Sequence, residues 1–337
     1  MSSRTQAPPK SAAPRGPAAT PDVPKAPGPG VRSGTAPAGT RPHRRRGILP
    51  QLLILPAVAV LVGALGYPIA WQVATSFQEF GLKQQFGQPP EFVGLANYVA
   101  IFANPTLWAV LARSLLFCLV CAFATVATGG LLALLMKRVG TVARLVLQVS
   151  MLLAWAMPLV AAMTVWVWLV DWRRGVLNWL LTRLGVDATG HNWLAEPVTF
   201  FAIGAIIVVW MSVPFVALSL YAGLSQIPEE VLEAAAMDGA AGLQRVRHII
   251  LPLIAPVLSI VLLLQLIWDL RVFTQIKLLQ DAGGVANETH LLGTYIYQLG
   301  VGAGDFGTAS AVSIVMLLIT VAVSWYYVRS LMKEEDA

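Results

Sequence analysis

Six apolar runs, each about 20 residues or longer, leave this chain few possible folds. They cover roughly 48–76, 107–136, 142–170, 198–223, 252–278 and 308–329. About 20 apolar residues are needed for a helix to cross the hydrocarbon core of a bilayer. Within that core every backbone N–H and C=O must be satisfied inside the segment. The pattern therefore predicts an all-α membrane protein with six transmembrane helices. Composition agrees, with 57% hydrophobic and only 12% charged residues, where a soluble domain carries about 25% charged. Eleven Trp suit anchoring at membrane edges.

The net charge of +6 is distributed by loop. Lys and Arg number four in 41–47, three in 137–144, two in 223–252 and two in 329–337, against one in 77–106, three in 171–197 and two in 271–307. By the positive-inside rule the first group faces the cytoplasm, which places both termini inside a multi-pass protein of the cell membrane. Basic residues that flank spans argue for membrane lipid as a partner and against nucleic acid. Residues 1–46 are rich in Pro, Ala and Gly. They carry too few large apolar residues to offset chain entropy, and are expected to form a disordered cytoplasmic tail without a signal-peptide layout. Residues 47–332 form the membrane domain and 333–337 a short cytoplasmic tail. The outer segment 77–106, with Gly81, Gly87, Pro89, Pro90 and Asn104-Pro105, is expected to be an irregular lid. Val176–Leu181 is amphipathic and suits the membrane surface.

Between the fourth and fifth runs lies a polar island, 225–252. Pro228-Glu229-Glu230 reads as a helix start, with carboxylates near the positive end of the dipole. Val231–Met237 reads as a short Ala-rich helix, Gly239 as a sharp turn and Pro252 as the start of the next span. A short helix with small residues on one side is shaped to lie in a groove on another protein. An isolated Glu-Ala-Ala means little. The ordered set Glu233-Ala234-Ala235, Asp238-Gly239-Ala240, Ile249 and Leu251-Pro252 resembles the EAA loop of binding-protein-dependent ABC importer permeases. The resemblance departs at Val246, where the family often has an aromatic residue. It implies a type I ABC importer permease fold, in which this loop is the coupling helix that docks into an ATPase subunit. Glu233 would then contact the ATPase, Ala234 and Ala235 would permit close approach, Asp238 would brace the turn and Gly239 would make it.

Polar residues inside a span are costly and are functional candidates. The fifth run contains Gln265, Trp268, Asp269 and Val272 at three-and-four spacing, which predicts one helical face. An amide, an indole and a carboxylate suit a sugar, whose hydroxyls take hydrogen bonds and whose apolar face stacks on a ring. The alternative is that Asp269 pairs with Arg271 or Arg113 and that Trp268 is an interfacial anchor. Arg113 itself either snorkels to the outer interface or bridges to Asp269. The stretch Trp268–Tyr297, with Val272-Phe273, Gly283-Gly284, Thr289 and Tyr295-Ile296-Tyr297, is similar to carbohydrate permeases of the maltose-type F subunit, as is Asp305-Phe306-Gly307 with Ala309-Ser310-Ala311. Val285 stands where that family usually has Pro. The resemblance implies sugar contacts at Gln265, Trp268, Asp269 and Val272 on the fifth span and at Met211 and Ser212, beside Pro214, on the fourth.

No G-x-x-x-x-G-K-[ST] phosphate loop and no acid–base, nucleophile or metal-ligand set is legible, so no enzyme activity, metal or cofactor is expected. Cys118 and Cys121 lie in an apolar run and read as packing residues. The resemblance implies a heterodimer with a second permease, two ATP-binding cassette ATPase subunits inside and a sugar-binding protein outside. The cargo expected is a di- or oligosaccharide. The alternative is a glycerol-phosphate-type or polyamine solute, which would call for cations or for several acids at the cavity.

Overall fold

Two of the helices that begin the spans are widened just ahead of a proline. In the computed structural model, which describes residues 48–335, helix α1 (Ile48–Leu61) passes through a π turn, Val62–Gly66, into α2 (Tyr67–Ser76). Pro68 follows that turn, and Pro252 follows a second one, Val246–Ile250. A proline ring clashes with the carbonyl four residues back and offers no N–H. Five-residue hydrogen bonding at that spot absorbs the misfit. The helix around Pro252 therefore does not begin there. It is already helical from α11 (Gly242–Arg245), as labelled in chain order below, and runs unbroken through the π turn. The tail expected at 1–46 lies outside the described residues, as do 336–337.

The residues from Ala57 onward form one unit. After α2 comes a short antiparallel pair, β1 (Gln78–Glu79) and β2 (Glu91–Phe92), with Gln78 opposite Phe92, flanked by α3 (Leu82–Gln85) and α4 (Ala96–Ala103). The segment 77–106 is thus ordered rather than irregular. The Asn97 amide donates to the carbonyls of Ser76 and Gln78, and the Tyr98 hydroxyl meets Ser76 Oγ at 2.8 Å. The Phe80 carbonyl accepts from the N–H groups of both Phe306 and Gly307.

Next come α5 (Pro105–Arg138), α6 (Thr141–Trp155), α7 (Leu159–Leu169), α8 (Val176–Arg183) and α9 (Pro197–Ser225). The third expected span is not one helix. It bends by 97° between α6 and α7, at Ala156-Met157-Pro158. Helix α8 confirms the short amphipathic stretch, starting just after Gly175. Then follow α10 (Glu229–Met237), α11, α12 (Leu251–Leu270), α13 (Thr274–Asp281), α14 (Ala286–Thr289), α15 (Leu292–Tyr297), a third π turn at Gln298–Gly302, and α16 (Phe306–Glu335). Among the described residues, five helices are long and apolar enough to cross a membrane, or six if the bent pair counts as one span.

Helices α5 and α9 form the central pair, with α12 packed on both. At Gly129 the two helices pack tightly, since a Cβ there would sit 2.7 Å from Val216 Cγ1. Aliphatic clusters fill the space on either side. One joins Phe117, Ile207, Ile276 and Leu279; another joins Leu220, Leu224, Ile227 and Ile254. Cys118 and Cys121 are buried and unpaired, as packing residues should be.

Candidate functional site

Helix α10 stands on the polar island as a short rod with one inward side. Pro228 caps its start in extended conformation, and Glu229 and Glu230 occupy its first turn. Its end is closed by two hydrogen bonds: Gly239 N–H to the Ala236 carbonyl (3.1 Å) and Ala240 N–H to the Ala235 carbonyl (2.9 Å). This pair of hydrogen bonds requires a left-handed residue at the turn, and Gly239 supplies it at φ +80°. The turn predicted from Gly239 is therefore the geometry found. Glu233, Ala234, Asp238 and Gly239 are exposed. Ala235 is not: it is buried, on the side of α10 from which Leu232 packs with Ile227 against the helix bundle. The two alanines thus differ in place, Ala235 on the buried side of the helix and Ala234 on its exposed side. Beside that face Met237 and Leu243 are 89% and 80% exposed.

The second site is on α12. Gln265 and Asp269 are both buried, and Gln265 Nε2 donates to Asp269 Oδ1 at 2.8 Å. Gln265 Oε1 and Asp269 Oδ2 have no partner among the described residues. The Cys118 thiol on α5 donates to the Leu266 carbonyl at 3.4 Å, so this turn of α12 is held against α5. Trp268 looks elsewhere: its ring is 43% exposed and lies 5.1 Å from Phe215 on α9, tilted by 60°. The single face expected for 265, 268, 269 and 272 is therefore divided. Val272 leaves it altogether, because α12 ends at Leu270 and Val272 packs into the core beside Ile276. Met211 lies partly buried against that same core, and Ser212 is half-buried on α9.

Sequence reasoning missed two residues here. Phe215 is one turn along α9 from Met211 and Ser212, on their face. Trp155, half-exposed at the end of α6, stacks on Phe215 with centroids 6.2 Å apart and planes 27° apart. Trp155, Phe215 and Trp268 make a row of three rings drawn from three helices. Trp155 joins them from the end of α6, just before the break that contains Pro158.

Arg113 does not reach Asp269. Its guanidinium donates to the Glu288 carbonyl through Nη1 and to the Ala109 carbonyl through Nε at 3.3 Å. Among the described residues the one ion pair joins Lys277 and Asp281. No group of His, Cys, Asp and Glu among the described residues is placed to hold a metal.

Residues 125–330 match the family described as binding-protein-dependent transport system inner membrane component. The chain is 38% identical over 96% of its length to the diacetylchitobiose uptake system permease protein DasB of Streptomyces coelicolor, 97% of which is covered. It is 32% identical to the trehalose/maltose transport system permease protein MalF of Thermococcus litoralis, over 85% of this chain and 94% of that one. Among solved structures, a chain of a bacterial alginate ABC transporter, crystallised with an alginate-bound periplasmic protein, superposes with a TM-score of 0.70 at 23% identity. That match covers 83% of this chain and 92% of the other.

Proposed function

This chain belongs to the family of binding-protein-dependent transport system inner membrane components, and on that premise we propose that it forms half of the translocation path of an ATP-driven importer for a di- or oligosaccharide. The observation that carries the cargo is the ring row. Trp268, Phe215 and Trp155 offer a partly exposed aromatic surface, and sugars present an apolar face to such a surface. One turn of α12 behind it, Gln265 and Asp269 hold two buried oxygens that accept hydrogen bonds, the partners that hydroxyl donors need. Met211 and Ser212 lie along the same α9 face. Diacetylchitobiose, trehalose and maltose, the solutes in the names of the relatives, are neutral polyols of this chemistry. A phosphodiester would want cations at this face, and Arg113 is already committed to the Glu288 carbonyl.

The work is delivered at α10. A second permease completes the path, two ATPase subunits bind at the cytoplasmic side, and a sugar-binding protein presents cargo outside. ATP binding closes the ATPase pair and shifts α10, whose Leu232 packs with Ile227 against Leu224 and Ile254 and so transmits the movement to α9 and α12. The path then alternates between inward- and outward-open states. Gln265 and Asp269 are closed off in the state described, and opening the path would bring them to the cargo. Hydrolysis belongs to the ATPase, since this chain carries no phosphate loop.

The test is uptake of radiolabelled disaccharides by the complete importer in vesicles. Trp268→Ala or Gln265→Leu should reduce uptake at least about tenfold, as loss of a stacking or hydrogen-bonding contact of about 1.4 kcal/mol would. Glu233→Lys or Gly239→Pro should abolish uptake at unchanged membrane abundance. Wild-type uptake by the first pair removes the sugar site, and wild-type uptake by the second pair removes the coupling role.

A further inference from the structure

An apolar groove runs down the outside of the α5–α9 pair and ends in positive charge. Its upper section, about 370 Å³, lies between α5, α9 and the first turns of α12, with Gly130, Leu131, Leu220 and Leu258 among its walls. A lower section of about 130 Å³ adjoins it and shares Leu134, Leu224, Val246 and Ile250. The lower walls add Lys137, Arg138 and Arg245. Among the described residues no carboxylate lines either section, and none of the three cations forms an ion pair. Arg245 spends only Nε, on the Ala240 carbonyl at 3.3 Å.

Two neighbouring glycines show that the space is built in. Gly129 faces α9 and has no room for a side chain, since its Cβ would lie 2.7 Å from Val216. Gly130 faces the groove, and its nearest neighbour would be Leu220 at 3.8 Å. The first glycine brings the helices together; the second keeps the groove open although a larger residue would fit.

From this geometry we infer that the groove binds an anionic phospholipid, with an acyl chain along the aliphatic section and the phosphate against Lys137, Arg138 and Arg245. The match is one of charge and of depth. The aliphatic section lies among membrane-spanning helices, and the cations sit at the last turn of α5 and at the end of α11, where a span meets water. Clusters of basic side chains at that level attract anionic headgroups. An apolar helix from a partner subunit would fill the groove but leave the three cations facing nothing. A zwitterionic lipid would bring no net charge to them. Occupancy would tie the lipid to α10, because Leu232, on its inward side, also lines the lower section.

The experiment is native mass spectrometry of the complete importer, released from detergent after mixing with equal amounts of phosphatidylglycerol and phosphatidylcholine of the same acyl length. Phosphatidylglycerol should be retained at least tenfold more. The variant K137Q/R138Q/R245Q should lose that preference, whereas R173Q/R174Q, at the other side of the membrane domain, should keep it. Gly130→Leu, which fills the groove, should lower retention of phosphatidylglycerol at an unchanged melting temperature. A photoreactive side chain at position 131 should yield an adduct of lipid mass. Equal retention of the two lipids, an unchanged preference in the triple variant, or an adduct of subunit mass at 131 would each overturn the assignment.

Discussion

Gly129 and Gly130 show how one methyl group can have opposite effects at adjacent positions. At 129 an added Cβ meets Val216 Cγ1 at 2.7 Å and the backbone nitrogen of Ala217 at 3.1 Å, and the backbone cannot yield. Gly129→Ala should therefore destabilise the protein by about 1–3 kcal/mol. At 130 the nearest atom is 3.8 Å away, and a helical glycine costs about 0.5–1 kcal/mol relative to alanine. Gly130→Ala should be neutral or stabilising. Thermal unfolding of the two variants in one detergent checks the difference, and equal melting temperatures would contradict it.

His290 sets a second residue-scale expectation. It lies outside the spans, buried between α14 and α15, with Gln280, Thr294 and the Tyr295 ring around it. Burial lowers its pKa from the ordinary 6.5, and the Arg113 guanidinium lowers it further. The folded state thus keeps the imidazole neutral while the unfolded chain takes up a proton below 6.5. The sign follows: the folded state loses stability as pH falls through that value, and nothing changes above it. Melting temperature measured from pH 7.5 down to pH 5 should fall more steeply for the wild type than for His290→Gln. Parallel curves would show that His290 gains its proton in the fold as easily as outside it.

At the scale of elements, what the sequence could and could not reveal divides along a physical line. Helix α10 was legible because its signals are local: a proline and acids at the start, a glycine at the end whose φ of +80° permits only one kind of turn. The apolar runs were legible because length alone marks a span. The 97° bend between α6 and α7 was not, because Pro158 sits amid uninterrupted apolar sequence and periodicity there is silent. The split of the α12 face was hidden for a related reason. Spacing places Gln265, Trp268, Asp269 and Val272 around a helix, but only the end of α12 at Leu270 and the packing of α5 decide which of them look out. The inward turn of Ala235 is also a packing outcome, and it separates two roles that one substitution each can test. Ala235→Glu would put a charge at a buried position and should unseat α10, seen as faster amide exchange over 229–240. Ala234→Glu, on the exposed face, should leave exchange unchanged and weaken only the association with the ATPase. Equal exchange rates in the two variants would contradict the seating.

For the whole molecule, the bent pair decides how many helices cross the membrane. Helix α9 has 29 residues, or about 44 Å at 1.5 Å per residue, ample for a core of about 30 Å. The α8 segment and α10 must therefore lie on opposite faces. If α6 and α7 together make a crossing, α10 shares a side with the segment at 137–144. If they dip in and return, α10 lies on the other side. Counting charges does not separate the two cases. Moving 171–197 and 271–307 inside, with 223–252 and 329–337 outside, still leaves the excess of Lys and Arg inside. Geometry does separate them: Lys137 and Arg138 line one pocket with Leu232 and Arg245, and Arg144 Nη1, at the start of α6, donates to the Tyr221 hydroxyl near the end of α9 at 3.2 Å, so α10 lies beside 137–144. Helix α7 has 11 residues, about 17 Å, too short to cross alone and long enough to complete the 15 residues of α6. In a background without the two buried cysteines, Thr189→Cys should react with a membrane-impermeant maleimide in intact cells. Met237→Cys should react only after permeabilisation. The reverse pattern would put α10 outside, where it cannot be the element through which ATP drives transport.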